Sequence, residues 1–416
     1  MRSEMAHRQP SHKLSVAIAT ITISFLSTFA CADSARLPRV FLLNAKLLQH
    51  ERELAQSQNG NDEILRAARS EADKAMNAGP FSVMHKNARP PSGDKHDYMS
   101  LAPYFWPNPD TPNHLPYVRR DGERNPEIKG ITDHDEMGKM SSTVHALALG
   151  YYLTNDEQYA GRAALLLRTW FLDASTRMYP NLDFAQGIRG VNTGRGIGII
   201  DSHGLTEVVD TAGLLAGSKN WTSADESGLE KWFSSFLDWL RTSKNGKDES
   251  NAKNNHGSFY DVQVVDYALF VGKRDIARDV AKDAAQKRIA VQIEPDGKQP
   301  LELARTKSFG YSSFNLRALA ELATLGEQVN VDLWHFQTAD GHSIRRALDF
   351  LLPYAAGEKQ WPYKQIDGFN PQELAVPLLE AAVAYDDPDY ARIAGKIVSD
   401  RPSASFRLLE MAAAAK

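Results

Sequence analysis

Apolar residues recur at helical spacing along almost the whole chain, and only a few residues separate one such run from the next. Residues 60–78 carry Ile64, Leu65, Ala67, Ala68, Ala72 and Ala75 in this pattern. Residues 137–153 carry Met137, Met140, Val144, Ala148, Leu149 and Tyr152. Similar stripes follow near 157–172, 204–217, 225–241, 257–271, 275–291, 313–325, 343–354, 371–384 and 388–397. Each predicts an amphipathic or buried helix, while strand-like alternation is scarce. Turns as short as Thr154-Asn155-Asp156 make consecutive helices antiparallel neighbours. Without a heptad seam or a fixed sequence repeat, the pattern predicts stacked helical hairpins or a helical toroid rather than an open solenoid.

One segment breaks this rhythm. Residues 90–126 hold eight of the chain's 20 prolines, together with Tyr98, Tyr104, Phe105, Trp106 and Tyr117. Proline is excluded from helix interiors, and so many aromatic side chains do not suit a flexible linker. The segment reads either as a rigid cover over one end of the helical core or as a ligand-binding loop.

The amino end reads as a secretory signal over residues 1–32. Arg2, Arg8 and Lys13 form a positive region, Leu14 to Ala30 is apolar, and Ala30-Cys31-Ala32 fits a small-residue cleavage site. Cleavage after Ala32 leaves residues 33–416 as a single domain without cysteine, exported to the periplasm or secreted. A lipoprotein anchored at Cys31 is the alternative. No later apolar run approaches the length of a membrane span. With 48 Lys+Arg against 52 Asp+Glu, the net charge of −4 gives no global field for nucleic acid. An anionic ligand would need a local basic site.

Three motifs carry candidate chemistry. In Asn251-Ala-Lys-Asn-Asn-His-Gly-Ser-Phe-Tyr-Asp261, His256 falls near a helix start, with Asn254 or Asn255 as the cap. The spacing puts His256, Tyr260, Gln263 and Tyr267 on one polar, aromatic face. A helix N-terminus disfavours imidazolium and keeps a histidine able to accept a proton. In Glu302-Leu-Ala-Arg305-Thr-Lys307-Ser-Phe-Gly-Tyr311, two cations near a tyrosine are expected to lower its pKa. The third motif, Gln186-Gly-Ile-Arg189-Gly-Val-Asn192-Thr-Gly-Arg195, continues to Asp201 and His203. It lacks the lysine and glycine spacing of a nucleotide loop and reads as a polar substrate loop. Asp133-His134-Asp135-Glu136 has metal-ligand composition, but adjacent side chains do not converge and no matching second group exists, so no metal or cofactor is expected.

The stretch K-N-N-H-G-x-x-Y-D, the downstream Arg305 to Tyr311, and S-G-D-K-H-D-Y-M-S…A-P-Y-F-W-P together resemble the alginate-lyase-like polysaccharide lyases. The nearest likeness is to polysaccharide lyase family thirty-eight, whose members cleave alginate or β-glucuronan, with family five more distant. The resemblance spans roughly Leu37 to Pro377. It implies an all-α fold, an (α/α) toroid built as an incomplete barrel of helical hairpins, with the proline-rich loop over the cleft. It also implies metal-independent β-elimination on an anionic polysaccharide, alginate or glucuronan, and no nucleic-acid or membrane partner. Carried over by motif, Asn255 and His256 match the family's Asn-His pair, Tyr311 the catalytic tyrosine and Arg305 the arginine upstream of it.

These residue types suit the chemistry. Elimination needs donors for the C5 carboxylate, met by Asn255, Arg305 and His203. It needs a base for the C5 proton, His256 or an ionised Tyr311, and an acid for the leaving O4, Tyr311. Tyrosine can serve both steps where proton and O4 share a face, as in mannuronate and glucuronate. Histidine as base and tyrosine as acid suits the opposite-face arrangement of guluronate. Lys95, Gln186, Arg189, Asn192 and Arg195 are candidate polar contacts to the polymer, and Tyr98, Trp106, Tyr260, Trp361 and Tyr363 are candidate aromatic ones. The competing readings are a non-catalytic glycan-binding protein and a glycoside hydrolase, which would need a pair of cleft carboxylates.

Overall fold

The computed structural model describes residues 37–57, 62–398 and 402–415, so the signal reading of residues 1–32 lies outside the described residues. The first helices are α1 (Ala45–Gln56), α2 (Asp62–Ala75), α3 (Asp133–Thr154), α4 (Glu157–Leu167), α5 (Thr206–Leu215) and α6 (Ser223–Thr242). The middle of the chain adds α7 (Lys244–Ser250), α8 (Asn255–Phe270), α9 (Arg274–Ala284), α10 (Ala290–Gln292), α11 (Pro300–Leu303) and α12 (Ser308–Glu327). The last are α13 (Ile344–Ala355), α14 (Ala375–Tyr385), α15 (Pro388–Ile397) and α16 (Ala404–Ala414). Contacts run round a circuit: α2 on α3, α3 on α5, α5 on α8, α8 on α12, α12 on α14, α14 on α16, and α16 back on α2. Outside it, α4 packs on α3, α6 and α9 on α8, α13 on α12, and α15 on α14. The result is an (α/α) toroid whose circuit is closed by its terminal helices.

Inner and outer helices differ as their positions require. Every residue of α8 is buried except His256. In α9 the buried residues are Ala277, Ala281 and Ala284, one stripe on a charged helix. The start of α6 is fixed by reciprocal capping, with Thr222 Oγ1 accepting from Asp225 N–H and Asp225 Oδ2 accepting from Thr222 N–H. The segment before α1 is tied to the toroid by Asp210, whose carboxylate accepts the N–H groups of Phe41, Leu42 and Leu43.

Residues 90–126 form an ordered wall. Strand β1 (Met99–Leu101) lies parallel to β4 (Phe184–Gly187), and β2 (Phe105–Trp106) pairs antiparallel with β3 (Val118–Arg119). Asn125 fastens this hairpin by donating from Nδ2 to Phe105 O at 2.9 Å. Asp121 anchors it to the α11–α12 junction, accepting from Arg305 and from Thr306 N–H. Gly122 follows at φ +79°, where a Cβ would collide with Thr306 Oγ1, so the close approach needs glycine.

Candidate active site

A cleft of about 790 Å³ opens at the end of the toroid where α8 and α12 begin. One wall is the proline-rich segment, through Ser100, Leu101, Tyr104, Phe105, Arg119 and Arg124. A second comes from Gln186, Arg195, Asp201 and His203, and a third from Asn255, His256, Arg305 and Tyr311. The four residues expected to carry the chemistry are therefore brought together.

Asn255 is the first residue of α8. Its backbone N–H and its side-chain Nδ2 both donate to Glu302, at 2.7 and 2.8–2.9 Å. Neither asparagine caps with its own side chain, contrary to expectation: Asn254 occupies the cap position without a capping bond, and the buried Glu302 carboxylate takes that role. Burial pushes the Glu302 pKa up, opposed by the bonds from Asn255. An amide nitrogen carries two hydrogens, so anchoring by Glu302 does not exhaust Asn255 as a donor.

His256 follows, 2.8 Å through Nδ1 from Glu249 Oε1. A carboxylate only accepts, so Nδ1 carries the hydrogen shared with Glu249, and the tautomer with that hydrogen has its lone pair on Nε2. The other members of the expected polar face are core residues. Tyr260 Oη donates to Leu240 O, Gln263 Oε1 accepts from Ser202, and Tyr267 Oη bonds Ser202 O and Gln263. Tyr260 is thus corrected from a cleft contact to a buried tie between α8 and α6. The helical face is continuous, but only its first turn reaches the cleft.

Tyr311 Oη donates to Tyr104 Oη at 2.8 Å, and the Arg305 guanidinium lies 3.6 Å above the Tyr311 ring. The expected lowering of the Tyr311 pKa is overturned. Burial and the bond to Tyr104 push the phenol up and outweigh the opposing charge of Arg305. Lys307 does not help, because it pairs with Asp367. Arg305 is held by Asp121 through Nε and Nη2, and among the described residues its Nη1 makes no hydrogen bond. Burial alone would raise the Asp121 pKa, but Arg305 and Thr306 N–H hold it well below the usual carboxylate range.

On the second wall, Gln186 adopts φ +49°, a conformation costly outside glycine. It donates from Nε2 to Asp201 at 2.8 Å and accepts Arg195 Nη2 at 2.9 Å. Arg195 forms no salt bridge among the described residues; its Nε and Nη2 bond Gln186 and its guanidinium lies over Phe105. His203 donates from Nδ1 to Ile200 O at 2.8 Å and packs between Phe259 and Phe314. Burial lowers its pKa. A neutral His203 with Nδ1–H spent can only accept at Nε2, which corrects its expected role as a donor to the carboxylate.

Several expected contacts lie elsewhere. Tyr98 is fully buried, donating to Asp201 at 2.9 Å. Lys95 points to Met84 O, and Trp106 donates to Glu123 O beneath Arg120. Arg189 sits beside Tyr117 and Glu127 behind the loop, and Asn192 closes a tight turn onto Ile188 N–H. Trp361 donates to Ser308 Oγ and packs with Phe309, Tyr354 and Tyr363, bracing the start of α12. Trp361 and Tyr363 thus belong to one cluster of edge-on and tilted rings and line no part of the cleft among the described residues. The acidic run 133–136 diverges: Asp133 pairs with buried Lys86, Glu136 bonds His85, and His134 and Asp135 reach the cleft.

Residues 82–361 match the profile of the family described as alginate lyase. An alginate lyase from Bacteroides ovatus of known crystal structure is 39% identical, covering 90% of this chain and 99% of that one, at a TM-score of 0.85. Alginate lyase A1-III from Sphingomonas species A1 shares the fold at 15% identity, with TM-score 0.55 over 90% of this chain and 97% of that one. A histidine-to-alanine variant of A1-III complexed with tetrasaccharide superposes at TM-score 0.54 and 15% identity, over 88% of this chain and 91% of that one. No curated protein matches the sequence significantly.

Proposed function

The chain belongs to the alginate lyase family, and on that premise we propose that it cleaves alginate by β-elimination in the cleft at the head of α8 and α12. The observation that carries this reading is the convergence of Asn255, His256, Arg305 and Tyr311 on one cavity. Asn255 and the free Nη1 of Arg305 bind the uronate carboxylate and stabilise the charge that builds as C5 loses its proton. His256 Nε2 takes that proton. The C4–O4 bond breaks as C4=C5 forms, and Tyr311, a protonated phenol, supplies the hydrogen to O4. Arg195 holds a neighbouring carboxylate of the polymer. These donors are side chains, so activity is expected to survive exhaustive chelation of divalent ions.

The reading extends to place: the charged and apolar pattern of residues 1–32 directs the enzyme to the periplasm or beyond, which the amino-terminal sequence of the exported protein checks. The chemistry is tested by incubating the protein with alginate. Elimination yields ends with a C4–C5 double bond conjugated to the carboxylate, which absorb in the ultraviolet. New reducing ends without that absorbance mean hydrolysis, and binding without either means a glycan-binding protein. Parallel assays on guluronate blocks, mannuronate blocks and glucuronan identify the preferred uronate.

A further inference from the structure

Among the described residues three histidines line the cleft, and their Nδ1 atoms are treated differently. His203 is bonded to a backbone carbonyl. His134 Nδ1 is 3.9 Å from Asp201 and makes no hydrogen bond. His256 alone among the three has its Nδ1 against a carboxylate at hydrogen-bond distance, Glu249 Oε1 at 2.8 Å.

Glu249 itself is unusual. It is 1% exposed, and burying a carboxylate is costly unless its partners repay it. Three other buried carboxylates have partners that hold the fold. Asp261 has Arg288, Asp133 has Lys86, and Asp210 has three backbone N–H groups. Among the described residues, the one hydrogen bond that the Glu249 side chain makes goes to the cleft histidine. The local fold is arranged to deliver it there. Ser243 Oγ caps α7 by accepting Gly246 N–H, and a Cβ at Gly246 would strike Leu240 O, so α7 is pressed against the end of α6. Its last turn then faces the first turn of α8.

We propose that Glu249 is the positioning residue of the base: by holding Nδ1–H of His256 it fixes the tautomer whose Nε2 lone pair faces C5, and so makes opposite-face elimination, the guluronate type, dependent on Glu249. This rests on the reading of His256 as base. Cleavage of mannuronate, where one tyrosine can serve both steps, depends on Glu249 less. Glu302, the other carboxylate at the start of α8, is occupied by Asn255.

The test uses Glu249→Ala and Glu249→Gln, assayed on guluronate and mannuronate blocks, with imidazole tautomers read from nitrogen–proton correlation spectra of histidine-labelled protein. The His256 signals are assigned by their loss in His256→Ala. For Glu249→Ala the expected result is a fall in kcat on guluronate of roughly 10–100-fold, the usual scale for a lost orienting partner. KM should stay within about two-fold, mannuronate turnover should fall less, and the His256 spectrum should lose its Nδ1–H preference. Gln keeps an acceptor oxygen at the same reach and should restore most of both. A folded Glu249→Ala enzyme that keeps the Nδ1–H tautomer, or keeps guluronate turnover within about two-fold, overturns the proposal. So does Glu249→Gln no better than Glu249→Ala. Full activity in His256→Ala would instead overturn the assignment of the base, a separate outcome.

Discussion

At the scale of single residues, Tyr311 shows how environment sets a chemical role. Its hydroxyl is bonded to Tyr104 and half-buried, and both push its pKa up, so the resting group is a phenol and not a phenolate. A phenol is ready to give a proton to O4, and in opposite-face elimination, where O4 and the C5 proton lie on different faces, abstraction falls to His256. Tyr311→Phe removes only the hydroxyl, keeping the ring under Arg305. Turnover should fall by roughly 10²-fold or more while KM changes little, since proton transfer occurs only in the transition state. Initial rates of ultraviolet-absorbing product, with folding checked by circular dichroism, decide it; near-normal turnover sinks the role. The cleft members Asn255, His256, Arg305 and Tyr311 were legible because each lies in a short motif whose chemistry is local. Their partners were not. Asp121 is far from Arg305 in sequence, Tyr104 is far from Tyr311, and Glu249 is separated from His256 by the break between α7 and α8. Sequence spacing cannot register a pairing that a helix boundary or a distant loop creates. The same limit made Lys307 look like a neighbour of Tyr311 when the backbone turns it to Asp367.

At the scale of elements, helices were readable and their attachments were not. The stripes place the helical segments because periodicity is a property of each segment alone. The β1–β4 pair inside the proline-rich wall escaped notice because it joins residues 99–101 to 184–187 through short strands with no alternation to see. The attachment of the amino-terminal strap is likewise non-local. Asp210, on α5, accepts Phe41 N–H at 2.6 Å, Leu42 N–H at 3.1 Å and Leu43 N–H at 2.9 Å. Asp210→Ala removes the two oxygens that accept all three bonds and leaves the donors to find water or remain unpaired. The expected cost is about 2 kcal/mol, on the scale of bonds to a charged group less partial rehydration of the strap. A urea titration should show a lower midpoint, and activity under folding conditions should stay within about two-fold because among the described residues the hydrogen bonds of Asp210 go to the strap and not to the cleft. An unchanged midpoint would show that the strap contributes nothing to stability.

At the scale of the molecule, closing helices into a ring leaves polar groups below the cleft that no single helix would bury. Arg317 and Glu321 on α12 pair at 2.7 Å, with the Arg317 side chain still 41% exposed inside the ring. Asp266 on α8 is fully buried with neither oxygen hydrogen-bonded, and burial followed by the charges of Asp210 and Glu321 raises its pKa well above the ordinary value. Glu380 on α14 also has an unbonded oxygen. Burial first, then the charge of Glu321, pushes its pKa from 4.5 to about 8, with Arg317 opposing. The direction of the pH effect follows. A carboxyl whose folded pKa is raised binds its proton more tightly in the folded state than in the unfolded one. Its protonated form costs nothing special below about pH 4.5, and stability is lost as pH rises from there through about 8, then levels off. Glu380→Gln keeps the shape of the protonated acid and cannot ionise. The difference in Tm between variant and parent should therefore be small near pH 5 and widen by several degrees in the variant's favour by pH 9. Other groups titrate in the same range, but they titrate in both proteins, so the difference isolates Glu380. Thermal scans at matched ionic strength across that range provide the measurement, and a gap independent of pH would mean that Glu380 ionises freely in the folded ring.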